Sequence, residues 1–309
     1  MKYSSVVVTY NRKEKLLKAI NSIIHQTLRP KHIYLIDNHS TDGTYELLKD
    51  NGFIDNPLIK YFRLSKNIGG SGGFYYGIKK ALLDKNIDYL SISDDDAVFK
   101  SNYFSLINQA RINNPQIKAF CGTVKNANNV IQTDHRRIIT NSKWIKEVEV
   151  PTEQYSDNFL VDTFSFVGCV ISTDIIRKIG LPNKEYFIYY DDTEYSLRVR
   201  EQTKILNVSN AIIHHLVKPP HNQKFSLSWK NYYQARNSTL MVKKHSTWKL
   251  VTLYLIYNQL RLDWYILTNP RFKGIRKRAL KVYNDGFNDG IRNITGKNSS
   301  YQPGRNMLK

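Results

Sequence analysis

The chain has 309 residues, 41% hydrophobic and 12% aromatic, with 46 Lys and Arg against 26 Asp and Glu for a formal charge of +20. That composition excludes a disordered chain and allows one large or two modest packed domains, while the charge directs attention to nucleic acid, anionic membranes and phosphorylated ligands. The excess is uneven: residues 216–309 hold 18 basic and 3 acidic residues, net +15, against +5 for residues 1–215.

In chain order, the β-branched run Ser4–Val8 predicts a buried strand, Lys13–His25 a helix with Leu16, Leu17, Ile20, Ile23 and Ile24 on its apolar face, and His32–Ile36 a second strand. Thr41–Asn51 follows as a helix with Ser40 as its N-cap, then a strand at Leu58–Leu64, a helix at Gly72–Leu83 and a strand at Tyr89–Ser93. Such alternation predicts a mostly parallel sheet covered on both faces, with ligands beyond the carboxyl ends of its strands. Residues 125–162 read as a polar, irregular excursion. After it come an apolar run at Phe164–Ile171, helices at Thr173–Ile179 and Tyr195–Glu201, and a strand at Asn210–Ile213.

Cys121 and Cys169 lie in separate apolar runs without a CxxC partner, which argues against a disulfide framework and a thiolate metal site and fits a reducing compartment. The amino-terminal apolar run is too short for a signal peptide, and no stretch is apolar for long enough to span a bilayer. The expectation is a protein kept on the cytoplasmic side.

Four predicted strand ends are polar: Thr9-Tyr10-Asn11-Arg12, Asp37-Asn38, Ser65-Lys66-Asn67 and Asp94-Asp95-Asp96. Three adjacent carboxylates repel one another unless a cation or several donors compensate, so the triplet points to a hard divalent ion rather than to an exposed acidic turn. The segment NIGGSGGF, residues 67–74, opens a helix with four glycines, and its free N–H groups suit a phosphate or sugar oxygen. It is neither a P-loop nor a GxGxxG fingerprint. Asp191-Asp192-Thr193-Glu194 enters a helix, where a carboxylate stays ionised and serves either as a general base or as a cap. A histidine at the strand end His214-His215 is placed to complete a metal site, whereas His221 has no assigned role.

Together these residues resemble the inverting family 2 glycosyltransferases of the GT-A fold. VVVTYNR, LIDNHSTDGT, SISDDDA and FIYYDDTEYSLR occur in that family's order and at its spacings. NIGGSGGF, AIIHH and WKNYYQARN look like segments of bacterial galactofuranosyltransferases, and DGFNDGIRNITGK resembles a rhamnosyltransferase tail. The resemblance implies a Rossmann-like GT-A catalytic domain at residues 1–215, followed by a helical basic region at 216–309 that contacts acceptor, membrane or another copy of the chain. It implies a nucleotide-sugar site made of Thr9, Tyr10, Arg12, Asp37, Asn38, Asn67, Gly69, Gly70, Asp94 and Asp95. Mn or Mg would sit on Asp94, Asp96 and His214 and act as a Lewis acid on the departing diphosphate. Asp192, ranked above Asp191 by motif alignment, would be the base that deprotonates the acceptor hydroxyl. Phe166, Asp191, Glu194 and Trp229 are the expected acceptor contacts.

Two departures bear on specificity. Asp37-Asn38 stands where many members carry paired acids, and Phe166-Val167 stands where galactofuranosyltransferases place a tryptophan pair. The implied reaction is transfer of galactofuranose from UDP-galactofuranose, or alternatively rhamnose from dTDP-rhamnose, to a glycan or polyprenyl-diphosphate-linked acceptor. In the basic region, Trp248–Thr268 is apolar and aromatic but broken by Lys249, Arg261 and Asp263, and Arg271, Lys273, Arg276, Lys277, Arg278 and Lys281 follow. That pairing suits an anionic membrane surface at the inner face of the cell membrane, or a docking helix with a solvated basic side. A nucleic-acid-binding protein is the reading from a different class. No recognition motif supports it, and the acidic triplet opposes it.

Overall fold

The computed structural model describes residues 1–217 and 226–304. Strands and helices alternate at first: β1 (Tyr3–Thr9), α1 (Lys13–Ile24), β2 (Ile33–Asp37), α2 (Thr44–Asp50), β3 (Ile59–Arg63), α3 (Gly69–Ala81) and β4 (Tyr89–Asp94). Then follow β5 (Ala97–Phe99), α4 (Tyr103–Asn113), β6 (Ala119–Lys125), β7 (Arg136–Asn141), β8 (Lys146–Glu149), β9 (Phe159–Val161), β10 (Thr163–Phe164), β11 (Val167–Ser172), α5 (Thr173–Ile179), α6 (Asp191–Arg200) and β12 (Ile205–His215). The last helices are α7 (Lys230–His245), α8 (Val251–Thr268) and α9 (Arg276–Ile291).

The main sheet runs β3-β2-β1-β4-β11-β6-β12-β5, with β9 on β12. β1 to β4 are mutually parallel, β11 is antiparallel to β4 and β6, and β12 is parallel to β6. The mostly parallel sheet expected from the alternation is therefore present, and the carboxyl ends of β1, β2, β3 and β4 share one edge. Both faces are covered. On one, Leu16, Ile20 and Ile23 of α1, spaced by four and three residues, pack with Leu35, Phe104 and Ile107; on the other, Phe74 and Ile78 of α3 meet Ile36, Ile92 and Ile171. Each such side chain contributes roughly 1.5–3 kcal/mol when fully buried.

Several boundaries differ from the sequence expectation. α2 starts at Thr44, with left-handed Gly43 at its N-cap position, and the Ser40 hydroxyl accepts from the Asn11 N–H at 3.0 Å rather than capping the helix. The stretch 125–162 contains β7, β8 and β9, and β10 pairs antiparallel with β7. The glycines of α3 also divide into two roles. A Cβ on Gly73 would lie 2.6 Å from Val8, and one on Gly77 would lie 2.5 Å from Val6 and 2.9 Å from Ile36, so these two let the helix press onto the sheet. Gly69 has φ +80 and Gly70 borders open space, which leaves the helix start as the part available to a ligand.

The chain divides into two compact units. The first holds Met1–Ile138, Val148–Lys184 and the chain from Asp192 to the undescribed stretch; the second holds Ile139–Glu147, Glu185–Asp191 and the chain beyond that stretch. Two segments that precede residue 215 group with the helices of the second unit. Within the second unit, Tyr232, Tyr233, Ile266, Phe272, Ala279 and Val282 form a core with Phe187. Buried Arg236 and Asn237 donate to the backbone oxygens of residues 185–189: Arg236 to Glu185 and Tyr186, Asn237 to Tyr186, Ile188 and Tyr189. Phe187, Tyr189 and Tyr190 have φ near +65, a strained conformation for aromatic residues that this array of donors holds in place. The WKNYYQARN segment thus owes its buried polar residues to backbone support. Among the described residues no helix is long and apolar enough to cross a membrane.

Candidate active site

β1 and β4 are neighbours, so Thr9 at the end of one lies beside the acidic turn that follows the other. The Thr9 hydroxyl donates to Asp95 Oδ2 at 2.7 Å, and the Tyr10 N–H points to the same oxygen at 3.4 Å. Arg12, at the start of α1, reaches Asp95 Oδ1 at 3.3 Å and Asp96 Oδ2 at 2.8 Å while its side chain stays 45% exposed. Lys15, one helical turn on, is 3.4 Å from Asp96 Oδ2. Lys15 was not expected here, although its i, i+3 spacing from Arg12 was a signal for it. Burial pushes Asp95 up to about 6 despite Arg12 and Thr9. Burial acts the same way on Asp96, but His215, Arg12 and Lys15 outweigh it and bring that carboxyl down to about 2.

The histidine expected at this turn is His214, but it is His215 whose ring lies against Asp96. β12 continues through residue 215 because β5 pairs with it, His214 opposite Val98 and His215 opposite Ala97. Alternation along a strand then sends the two imidazoles to opposite faces. His215 Nε2 lies 3.2 Å from Asp96 Oδ1, whereas His214 sits in the field of Lys100 and Lys125, and burial followed by those charges lowers its pKa. His215 Nδ1 meets Gln132 Oε1 at 3.2 Å, and the His135 ring stands edge-on to His215 at 5.1 Å. Gln132 and His135 lie in the stretch read as irregular. His221 lies outside the described residues.

Whether these groups suit a divalent cation is tested by Asp96 Oδ1. That oxygen is buried without a hydrogen bond of good geometry, and its polar neighbour is His215 Nε2 at 3.2 Å. With Nδ1 donating to Gln132, Nε2 is available as a ligand. Two ligands of an octahedral ion with bonds of about 2.1 Å are about 3 Å apart, which matches the pair. Among the described residues no three His, Cys, Asp or Glu side chains form a full metal cage. Ions of this kind commonly take one or two carboxylates and complete their shell with substrate phosphates and water. The residues therefore fit a cation shared with a diphosphate, on Asp96 and His215, with Asp94 half-buried at the end of β4.

On the other side of β1, Asp37 and Asn38 are buried and engaged. Asp37 accepts from the Ser40 N–H at 2.7 Å and the Tyr61 hydroxyl at 2.7 Å. Asn38 donates to the Gly69 carbonyl at 2.8 Å and accepts from the Ile68 N–H at 2.9 Å. Both were expected at the nucleotide-sugar site. Asn38 spends one amide hydrogen and its oxygen on the start of the glycine segment. Asn67 accepts from the Gly69 N–H at 2.8 Å, and the next amides of α3 open the helix without a side-chain cap.

Asp192 stands near the start of α6, and its carboxylate accepts from the Thr193 N–H at 2.7 Å and the Thr193 hydroxyl at 3.3 Å. The Phe166 N–H is also directed to it, while the Phe166 carbonyl accepts from the Asp94 N–H at 3.1 Å. One peptide segment thus joins the candidate base to the acidic strand end. Burial raises the Asp192 pKa against the opposing pull of Thr193, Arg137 and Phe166. The helix start does not keep it an ordinary carboxylate, and a raised pKa makes it a stronger proton acceptor once ionised.

The expected acceptor contacts fare differently. The Phe166 ring is buried against Phe74 and Tyr195 as part of the core, and its backbone carries the contacts to Asp94 and Asp192. Glu194 is fully buried in a two-point ion pair with Arg198, at 3.1 and 2.8 Å, and Arg198 also donates to the Ile179 and Leu181 carbonyls. Its role is to anchor α6. Asp191 is buried at the first position of α6, and Trp229 packs on Phe187 and Tyr233 in the second unit.

A mixed sheet gathers acids and an arginine at the carboxyl ends of its parallel strands, the edge at which open α/β sheets bind ligands. The profile of Glycosyl transferase family 2 matches residues 4–180, and the chain belongs to that family: it is a glycosyltransferase. It is 24% identical over 301 residues to galactofuranosyltransferase GlfT1 of Mycolicibacterium smegmatis, covering 88% of this chain and 92% of the relative. With the GlfT1 of Mycobacterium tuberculosis it shares 32% identity over 93 residues, 30% of this chain and 29% of the relative. Among solved structures it is similar to GalNAc-T7 with UDP, GalNAc and Mn2+, with a TM-score of 0.64 and 18% identity over 95% of this chain. The match spans 56% of that longer chain. S. aureus TarS 1-349 in complex with UDP-GlcNAc gives a TM-score of 0.57 and 15% identity, covering 95% of this chain and 92% of TarS. The GT-A fold expected from the motifs is the fold found.

Proposed function

We propose that the protein is a metal-dependent, inverting transferase that moves galactofuranose from UDP-galactofuranose to a lipid-linked or growing surface polysaccharide. The observation that carries the donor is the likeness to GlfT1 along nearly the whole chain. A divalent ion, Mn or Mg, held by Asp96 and His215 with Asp94, would supply charge neutralisation at the departing diphosphate.

The chain's own residues do the rest. Arg12 and Lys15 leave the acidic turn for the diphosphate oxygens, and the open amides at the start of α3 add uncharged donors. Thr9 holds Asp95 in place to accept a donor hydroxyl. Asp192, steadied by Thr193, takes the acceptor proton. Attack from the face opposite the leaving group inverts the anomeric centre. The reading places the protein peripherally at the inner face of the cell membrane, where lipid-linked acceptors present their polar ends, and leaves self-association as a further contact of the basic region.

A thermal-shift panel of UDP- and dTDP-sugars with Mn tests the donor. At a hundred times Kd, a ligand stabilises by about 2.7 kcal/mol, or roughly 5–11 °C for a unit of this size. UDP-galactofuranose should give that rise; a rise with dTDP-rhamnose alone would overturn the donor assignment.

A further inference from the structure

Helix α8 is apolar on two sides. Val251, Leu255 and Ile266 face inward and are buried, with Gln259 and the sole acid of the helix, Asp263, on the inner side. Asp263 accepts from Gln259 and from Asn284 of α9. The outer side carries Leu253, Ile256, Tyr257, Leu260, Trp264 and Leu267, spaced by three and four residues, with Trp264 69% and Leu260 62% exposed. Of the fifteen large hydrophobic residues exposed among those described, eight fall at 250–267, while the other seven are scattered. From Leu253 to Leu267 the stripe is about 21 Å long. Soluble surfaces rarely leave such a strip without an occupant.

The charge beside it selects that occupant. Between Asp263 and Asp285 the sequence has six cations, Arg271, Lys273, Arg276, Lys277, Arg278 and Lys281, and no acid. Lys281 pairs with Asp285 at 2.8 Å, while Lys273, Lys277 and Arg278 are exposed. A second copy meeting this face by two-fold symmetry would bring two such clusters together, which like-charge repulsion opposes. An anionic lipid surface satisfies both parts at once: phosphate headgroups meet the cations, and the acyl boundary receives the leucines and the amphipathic tryptophan. We propose that α8 lies in the plane of an anionic membrane with the Leu253–Leu267 stripe buried at the headgroup–acyl boundary. The proposal deepens the peripheral membrane placement given above and names the surface responsible.

The test is co-sedimentation of the full chain with vesicles of phosphatidylcholine alone or with about a third phosphatidylglycerol. Wild type should bind the anionic vesicles at least roughly 10-fold more tightly. The exposed-face variant L253Q/L260Q/W264Q should lose roughly 100-fold in affinity, and R276Q/K277Q/R278Q should lose the preference for anionic lipid. Wild type remaining in the supernatant with anionic vesicles overturns the proposal. So does an apolar-face variant that binds like wild type, or a lipid-free dimer that this variant converts to monomer, which would make the occupant a second copy. Transfer to a soluble acceptor, measured on the same variant, separates the two readings: it should proceed at the wild-type rate whether or not the vesicles are bound.

Discussion

Replacing Asn38 with Ala should loosen the donor pocket without removing any group that faces the donor. The substitution takes away two hydrogen bonds, to the Gly69 carbonyl at 2.8 Å and from the Ile68 N–H at 2.9 Å. Asn38 is buried, so the two backbone groups lose their partner where water does not readily replace it. At about 1–3 kcal/mol for each unsatisfied group, reduced by partial solvation at half-buried Ile68, the loss sums to about 3 kcal/mol. For a unit of this size that is a fall of roughly 6–12 °C in Tm. Thermal unfolding without nucleotide measures it, and UDP affinity by calorimetry provides the comparison. An unchanged Tm with a loss of UDP affinity greater than roughly tenfold would refute the reasoning and make Asn38 a direct contact of the nucleotide.

The two neighbouring histidines should separate cleanly. His215→Ala should weaken Mn-dependent UDP binding by roughly 10–100-fold, with His214→Ala close to wild type; the reverse order by calorimetry would contradict the register of β12. The pH profile of kcat/KM should fall on its acid side as Asp192 takes up a proton, at a pH above the ordinary carboxylate range because burial raises that pKa. Arg137→Gln removes a charge that favours the ionised form, so it should move the acid limb to higher pH; a shift to lower pH would count against Asp192 as the titrating base.

The alternation through β4 was legible because each strand is a short β-branched run and each helix shows apolar residues at three- and four-residue spacing. With the strand directions known, the four polar strand ends had to share one edge. What was not legible depends on partners distant in sequence. The choice between His214 and His215 turns on where β12 ends, and β5, more than a hundred residues earlier, extends it past Ile213. Whether an aromatic forms a platform or a core depends on what packs on it, and Phe74 and Tyr195 close over Phe166. Glu194 carries the charge of a site residue, but Arg198 one turn later absorbs it. In the glycine segment composition could not distinguish ligand approach from packing. Gly73 and Gly77 face Val8, Val6 and Ile36, while Gly70 faces open space. The basic region shows the converse case: its apolar, aromatic helix was readable, but which of its two apolar sides is covered required the fold.

Asp192 is proposed as the group that receives the acceptor proton beside the acidic strand end. Single-turnover transfer from UDP-galactofuranose with saturating Mn, run on wild type and on the isosteric Asp192→Asn, tests it. The predicted result is a loss of roughly 10²–10⁴ in the transfer rate, with donor affinity held and an inverted anomeric configuration in the wild-type product. Transfer by the variant at the wild-type rate would contradict it.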